Sequence, residues 1–131
     1  MDITLKNLQK KILIPQSQIL KAAKQAFRKL EFRQGGLSII FVGTKRMRAI
    51  NKKYLRHDYV TDVLTFDFGD NIGEIIICPY VAATNAKAHQ TSTEKEIILY
   101  VIHGILHLAG FDDHSPKDKI QMRQMENKLL R

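Results

Sequence analysis

Residues 103–114 read His103-Gly104-Ile105-Leu106-His107-Leu108-Ala109-Gly110-Phe111-Asp112-Asp113-His114. Two histidines stand four apart in an apolar run. At helical spacing they project from one face, one turn apart, so both imidazoles can address one ion. Gly110 can end the helix in a left-handed cap, after which the chain can turn back and deliver a further ligand. Three protein ligands with one position left open describe a catalytic zinc site better than a structural one.

A single histidine on an apolar helix is ordinarily a hydrogen-bonded core residue. A second at i+4, a glycine three residues later and an acidic-histidine cluster beyond it make a metal site the better reading. Metzincin proteases place their ligands as H-E-x-x-H-x-x-G-x-x-H. Here the frame is His103, His107, Gly110 and Asp113. Gly104 occupies the place of the protease's general-base glutamate, which argues against peptide hydrolysis by that route. Asp113 occupies the place of the third histidine, and zinc also accepts carboxylate oxygen. The metal candidates are therefore His103, His107 and Asp113, with His114 as the rival third ligand. Two imidazoles and a carboxylate suit zinc, and also admit nickel or manganese.

The chain that must position these groups has 131 residues, a length suited to one domain spanning 1–131. Its 44% hydrophobic content supplies a core. No apolar run approaches the roughly 18 residues that span a bilayer, so no membrane association is expected. Met1-Asp2-Ile3-Thr4 carries no basic segment ahead of an apolar one, so no secretory leader is expected. The single Cys78 excludes an intramolecular disulfide and suits a reducing, cytoplasmic setting. The net charge of +8 is unevenly spread: residues 1–60 hold 14 Lys/Arg against 3 Asp/Glu, and residues 61–131 hold 7 against 10. A basic half beside an acidic, histidine-bearing half suits a polyanion gripped near a metal, with nucleic acid the leading partner.

Periodicity and turn residues predict a strand over 2–8, a helix from Pro15 to about Leu30, and a strand over 37–42. A helix capped by Thr44 should carry Met47, Ile50 and Tyr54. Strands 63–68 and 72–78 should form a hairpin about Gly69-Asp70-Asn71. Pro79 should start a helix running to about His89. Ser92 or Thr93 should cap the next, with Glu96 near capping-box spacing. That helix is apolar on nearly every side from Ile97 to Leu108, the mark of a buried element. A last helix should follow Ser115-Pro116 with Ile120, Met122, Met125 and Leu129. Strands early and helices late indicate an α+β fold.

Three blocks carry a family resemblance. The run from His103 to Asp112 resembles the H-G-x-L-H-L-x-G-(Y/F)-D signature of the YbeY family of endoribonucleases. Asn51, Tyr54, Asp58 and Thr61-Asp62-Val63-Leu64-Thr65-Phe66 are similar to that family's N-x-x-Y-R-x-x-D-x-x-T-D-V-L-(S/T)-F. Gly73-Glu74-Ile75 is similar to its G-(D/E)-I strand. The resemblance implies a metal-dependent RNase preferring single strands. It implies roles in ribosomal RNA maturation, including the small-subunit 3′ end, and in ribosome quality control. It also implies a small mixed sheet with about five helices, the metal in a cleft, and the ribosome or its small subunit as partner.

Two departures stand out. The family's third ligand is a histidine directly after G-Y-D; the ungapped position here is Asp113, a register that Pro116 supports. The family's active-site arginine follows the tyrosine, where this chain has Leu55; Arg56 is the nearest substitute for holding a phosphate, with Arg46, Arg48 and Lys53 as further candidates. Catalytic roles thus fall to Arg56, His103 and His107. Asp62 reads as a residue structuring the start of its strand or as a support for a ligating histidine. His57 and His89 read as surface residues. Two other functions fit the residues less well: a metal hydrolase of another substrate, and a non-catalytic ribosome-associated factor with a structural metal.

Overall fold

The computed structural model describes residues 2–131, so Met1 of the expected 1–131 domain lies outside the described residues. The elements run β1 (Asp2–Asn7), α1 (Gln16–Leu30), β2 (Gly36–Phe41), α2 (Thr44–Leu55), β3 (Val63–Gly69), β4 (Ile72–Ile77), α3 (Pro79–Ala88), α4 (Thr93–Leu108) and α5 (Pro116–Leu129). The fold is α+β. Its four strands form one mixed sheet in the order β1-β2-β4-β3. The pairs β1–β2 and β2–β4 are parallel, and β3 returns antiparallel to β4 as an edge strand.

Alternation along the strands sends apolar side chains to both faces of the sheet. Leu37, Ile39, Phe41, Ile75 and Ile77 meet α1, α4 and α5 in the main core. Val42, Leu64, Ile76 and Cys78 meet Met47 of α2 on the other face in a smaller one. The hairpin turns through Gly69, Asp70 and Asn71, all at positive φ. A bulge between Asp67 and Gly69 ends regular pairing.

Helix α4 is the central element. Ile97, Val101, Ile102, Ile105 and Leu106 are fully buried, and it packs against α1, α3, α5, β3 and β4. Its approach to the sheet explains Gly104. A Cβ there would stand 2.7 Å from Ile75 Cδ1, so position 104 faces the sheet and has no room for a glutamate. The helix ends in a Schellman arrangement: Gly110 N–H bonds to His107 O, and Phe111 N–H to Leu106 O. Gly110 holds φ +101, a conformation glycine adopts without strain.

Several local expectations are corrected. Gly43, not Thr44, is the N-cap of α2, and no side chain caps that end. Ser92 caps α4 by accepting from Lys95 N–H. Glu96 lies one position beyond the capping-box site, so its carboxylate turns to other partners. In α5 the buried residues are Met122, Glu126 and Leu129, while Ile120 is exposed.

Candidate metal centre

His103 and His107 both point off α4 into a cleft of about 850 Å³ at the β3 edge of the sheet. The turn after Gly110 returns Asp113 to the same place. His103 Nε2 and His107 Nε2 are 3.0 Å apart, and Asp113 Oδ2 lies 3.3 Å from the first and 3.5 Å from the second. Donors bound at about 2.0–2.1 Å around a tetrahedral ion stand roughly 3.3–3.4 Å from one another. The three atoms therefore fit one small divalent ion with a side left open.

Behind this triad stands Glu126 of α5, a residue the sequence reading did not single out. Its Oε2 accepts a 2.6 Å hydrogen bond from His103 Nδ1. Because a carboxylate only accepts, the bond places the proton on Nδ1 and leaves the Nε2 lone pair facing the cleft. The signal was present: Glu126 falls on the α5 stripe that also buries Met122 and Leu129. A charge in a core position needs a partner. Burial works against charge on His103. The hydrogen bond and charge of Glu126, together with Asp113 and Asp62, outweigh it and leave the His103 pKa raised.

His114 is not brought into the triad. Its side chain is 85% exposed, and its Nε2 lies 3.1 Å from Asp112 Oδ1. Nor is Arg56 among the residues lining the cleft; Leu55 is. Arg56 forms the left-handed C-cap of α2. Of the other candidate cations, Arg48 is bound to Asp58 at 2.8 Å, and Arg46 lines a separate groove. The cations that line the metal cleft are Lys119 and Arg123 of α5.

The motif around α2 braces the start of β3. Buried Asn51 donates to Tyr59 O at 3.0 Å, and Asp62 Oδ1 accepts the Val63 N–H at 2.7 Å. Asp62 thus structures the strand and also adds negative charge near His103. His89 lines the cleft as well, with Nδ1 3.3 Å from Oε1 of buried Glu96. Tyr100, one turn before His103, accepts from Asn85 at 2.7 Å, and burial pushes its phenol well above the usual range.

The family described as Endoribonuclease YbeY matches residues 4–131, nearly the whole chain. The chain belongs to the YbeY family. A YbeY endoribonuclease of Chlorobium luteolum is 39% identical over 97 residues, covering 72% of this chain and 71% of that protein. A second, from Chlorobium phaeovibrioides, is 33% identical over 134 residues and covers 100% of this chain and 90% of its own. The solution structure of a Thermotoga maritima protein superposes with a TM-score of 0.68 at 30% identity, covering 98% of this chain and 86% of that one. Asp113 and Leu55, the two positions where the resemblance implies a histidine and an arginine, both line the cleft.

Proposed function

We propose that this chain is a metal-dependent endoribonuclease that cuts single-stranded RNA. Its assigned work is ribosomal RNA maturation at the small-subunit 3′ end and ribosome quality control, in the cytoplasm and in contact with the small subunit. The observation that carries the reading is the convergence of His103 Nε2, His107 Nε2 and Asp113 Oδ2 in an open cleft, in a chain of the YbeY family. Basic residues concentrated in the first half of the chain support a polyanionic substrate. Among the described residues, no helix is long and apolar enough to cross a membrane.

His103, His107 and Asp113 would hold the ion. Zinc is the metal assigned, with nickel and manganese compatible with the same donors. When bound, a divalent ion supplies Lewis acidity that lowers the pKa of water and offsets charge on a phosphoryl oxygen. Glu126 keeps His103 in the ligating tautomer and orientation. Lys119 and Arg123 line the cleft, Arg123 with its Nε 3.5 Å from Glu126 Oε1, and would hold the scissile phosphate by charge-assisted hydrogen bonds. Arg56, exposed beside Leu55, is assigned a neighbouring phosphate outside the cleft. With a glycine at 104 packed on the sheet, this helix lacks the base a peptidase would use.

The test is cleavage of an RNA fragment carrying an unprocessed small-subunit 3′ end, alone and on the small subunit, with added zinc. Metal-dependent cleavage in either form is expected. Intact RNA in both would contradict the proposal.

A further inference from the structure

Two exposed aromatic rings and one half-buried ring form a row across the end of α2 and β3 that meets the metal cleft at Phe66. Phe66 and Phe68 of β3 have parallel rings, 4° between planes and 6.2 Å between centroids. Tyr54 of α2 meets Phe66 edge-on at 5.7 Å. Tyr54 is 59% exposed and Phe68 62%. Phe66 belongs both to this row and to the cleft lining, and Leu55, the chain neighbour of Tyr54, lines the cleft as well; Tyr54 and Phe68 stand beside that lining. β3 is an edge strand; Phe66 packs on the smaller core on the α2 face of the sheet, and Phe68 lies exposed beside it.

Cations surround these rings. Lys52, Lys53 and Arg56 are exposed on the same end of α2, and Lys53 Nζ lies 5.2 Å from the Tyr54 ring centroid. Of the nearby carboxylates, Asp58 is paired with Arg48 and Asp67 accepts the Gly69 N–H at 3.0 Å; Asp70 in the hairpin turn and Glu74, opposite Phe66 on β4, are outnumbered by the basic residues at the end of α2. Exposed rings in a cationic setting, continuous with a phosphodiester-cutting site, match the chemistry of unpaired nucleotides. Bases stack on the rings while the lysines and arginine follow the backbone.

We infer that Tyr54, Phe66 and Phe68 form a stacking platform for unpaired bases next to the scissile phosphate. This inference rests on the endoribonuclease reading and deepens it. The platform makes single-strandedness a requirement, because paired bases keep their faces inside a duplex and cannot reach the rings. It is sequence-tolerant, since every base has a π-face.

The test uses the full chain without added metal and with chelator, so that binding is read apart from cleavage. The probes are a fluorescein-labelled single-stranded RNA oligonucleotide and an abasic oligonucleotide of the same length, compared by anisotropy. Wild type should prefer the base-bearing probe by roughly tenfold or more. The Tyr54→Ala/Phe68→Ala variant should lose most of that preference, and Tyr54→Phe/Phe68→Tyr, which keeps the rings, should retain it. Phe66 is left unchanged because it packs on the smaller core. Equal affinity of wild type for both probes, or an unchanged preference in the alanine variant, would overturn the platform. Light scattering adds a further outcome: self-association lost in the alanine variant, with RNA preference intact, would mark the rings as a dimer contact and overturn it too. Metal-dependent cleavage by wild type, measured separately, tells failure of the platform from failure of the nuclease reading.

Discussion

His103 Nδ1 and Glu126 Oε2 are 2.6 Å apart and 23 residues distant in sequence, which makes α5 the support of a ligand that α4 carries. A carboxylate behind a metal-ligating imidazole fixes its tautomer and raises its basicity. Glu126→Ala should therefore weaken zinc binding by about 10–100-fold. Glu126→Gln, which keeps an acceptor but not the charge, should weaken it less. Competition against a chromophoric chelator measures both, and an affinity equal to wild type in the alanine variant would remove Glu126 from the site.

The third ligand separates two adjacent residues. Asp113 Oδ2 sits with the histidines, whereas His114 is paired with Asp112 at the surface. Asp113→Ala should lose stoichiometric zinc after dialysis, and His114→Ala should keep it. Elemental analysis reads the outcome directly. Asp113→His should also keep zinc, and with one negative charge fewer at the site it should make the ion a stronger Lewis acid.

Metal removal should leave the fold in place. The helix that carries both histidines is anchored by fully buried Ile97, Val101, Ile102, Ile105 and Leu106, not by the ligands. Chelator should abolish cleavage while leaving the far-ultraviolet circular dichroism spectrum largely unchanged at 25 °C. Melting of the domain on chelation would instead indicate a structural metal and favour the non-catalytic reading.

Gly104 gives a stability prediction with competing terms. Alanine in a helix interior gains about 1 kcal/mol over glycine. Here its Cβ would meet the buried, branched Ile75 at 2.7 Å, and overpacking of this kind costs about 1–3 kcal/mol. The clash should win, so Gly104→Ala should unfold at a lower denaturant midpoint than wild type. A raised midpoint would show that Ile75 yields freely.

Much of this architecture was readable before folding. Alternation and turn residues located the four strands, and the apolar run from Ile97 identified the central helix because hydrophobic periodicity reports burial directly. The spacing of His103, His107 and Asp113 was readable because helix geometry and a glycine stop fix their relative positions. What escaped depended on contacts between distant segments. Glu126 stood at helical spacing from Met122 and Leu129, but its partner His103 was identifiable only once α5 packed on α4. The absence of Arg56 from the cleft lining depends on how α2 ends, in a left-handed cap that leaves Leu55 there. Lys119 and Arg123 were ordinary surface cations until the chain's return past Gly110 brought their helix to the cleft.

The central claim is that chemistry occurs at the His103–His107–Asp113 centre. The most direct test compares cleavage of a single-stranded ribosomal RNA fragment by wild type and His107→Ala, prepared identically with zinc and shown by circular dichroism to be folded. His107 is partly exposed in the cleft, so alanine there should spare the core. Cleavage by wild type and a loss in the variant that exceeds the roughly 10–100-fold typical of removing a mere supporting partner of a ligand is the predicted result. Equal cleavage by both proteins would contradict the account.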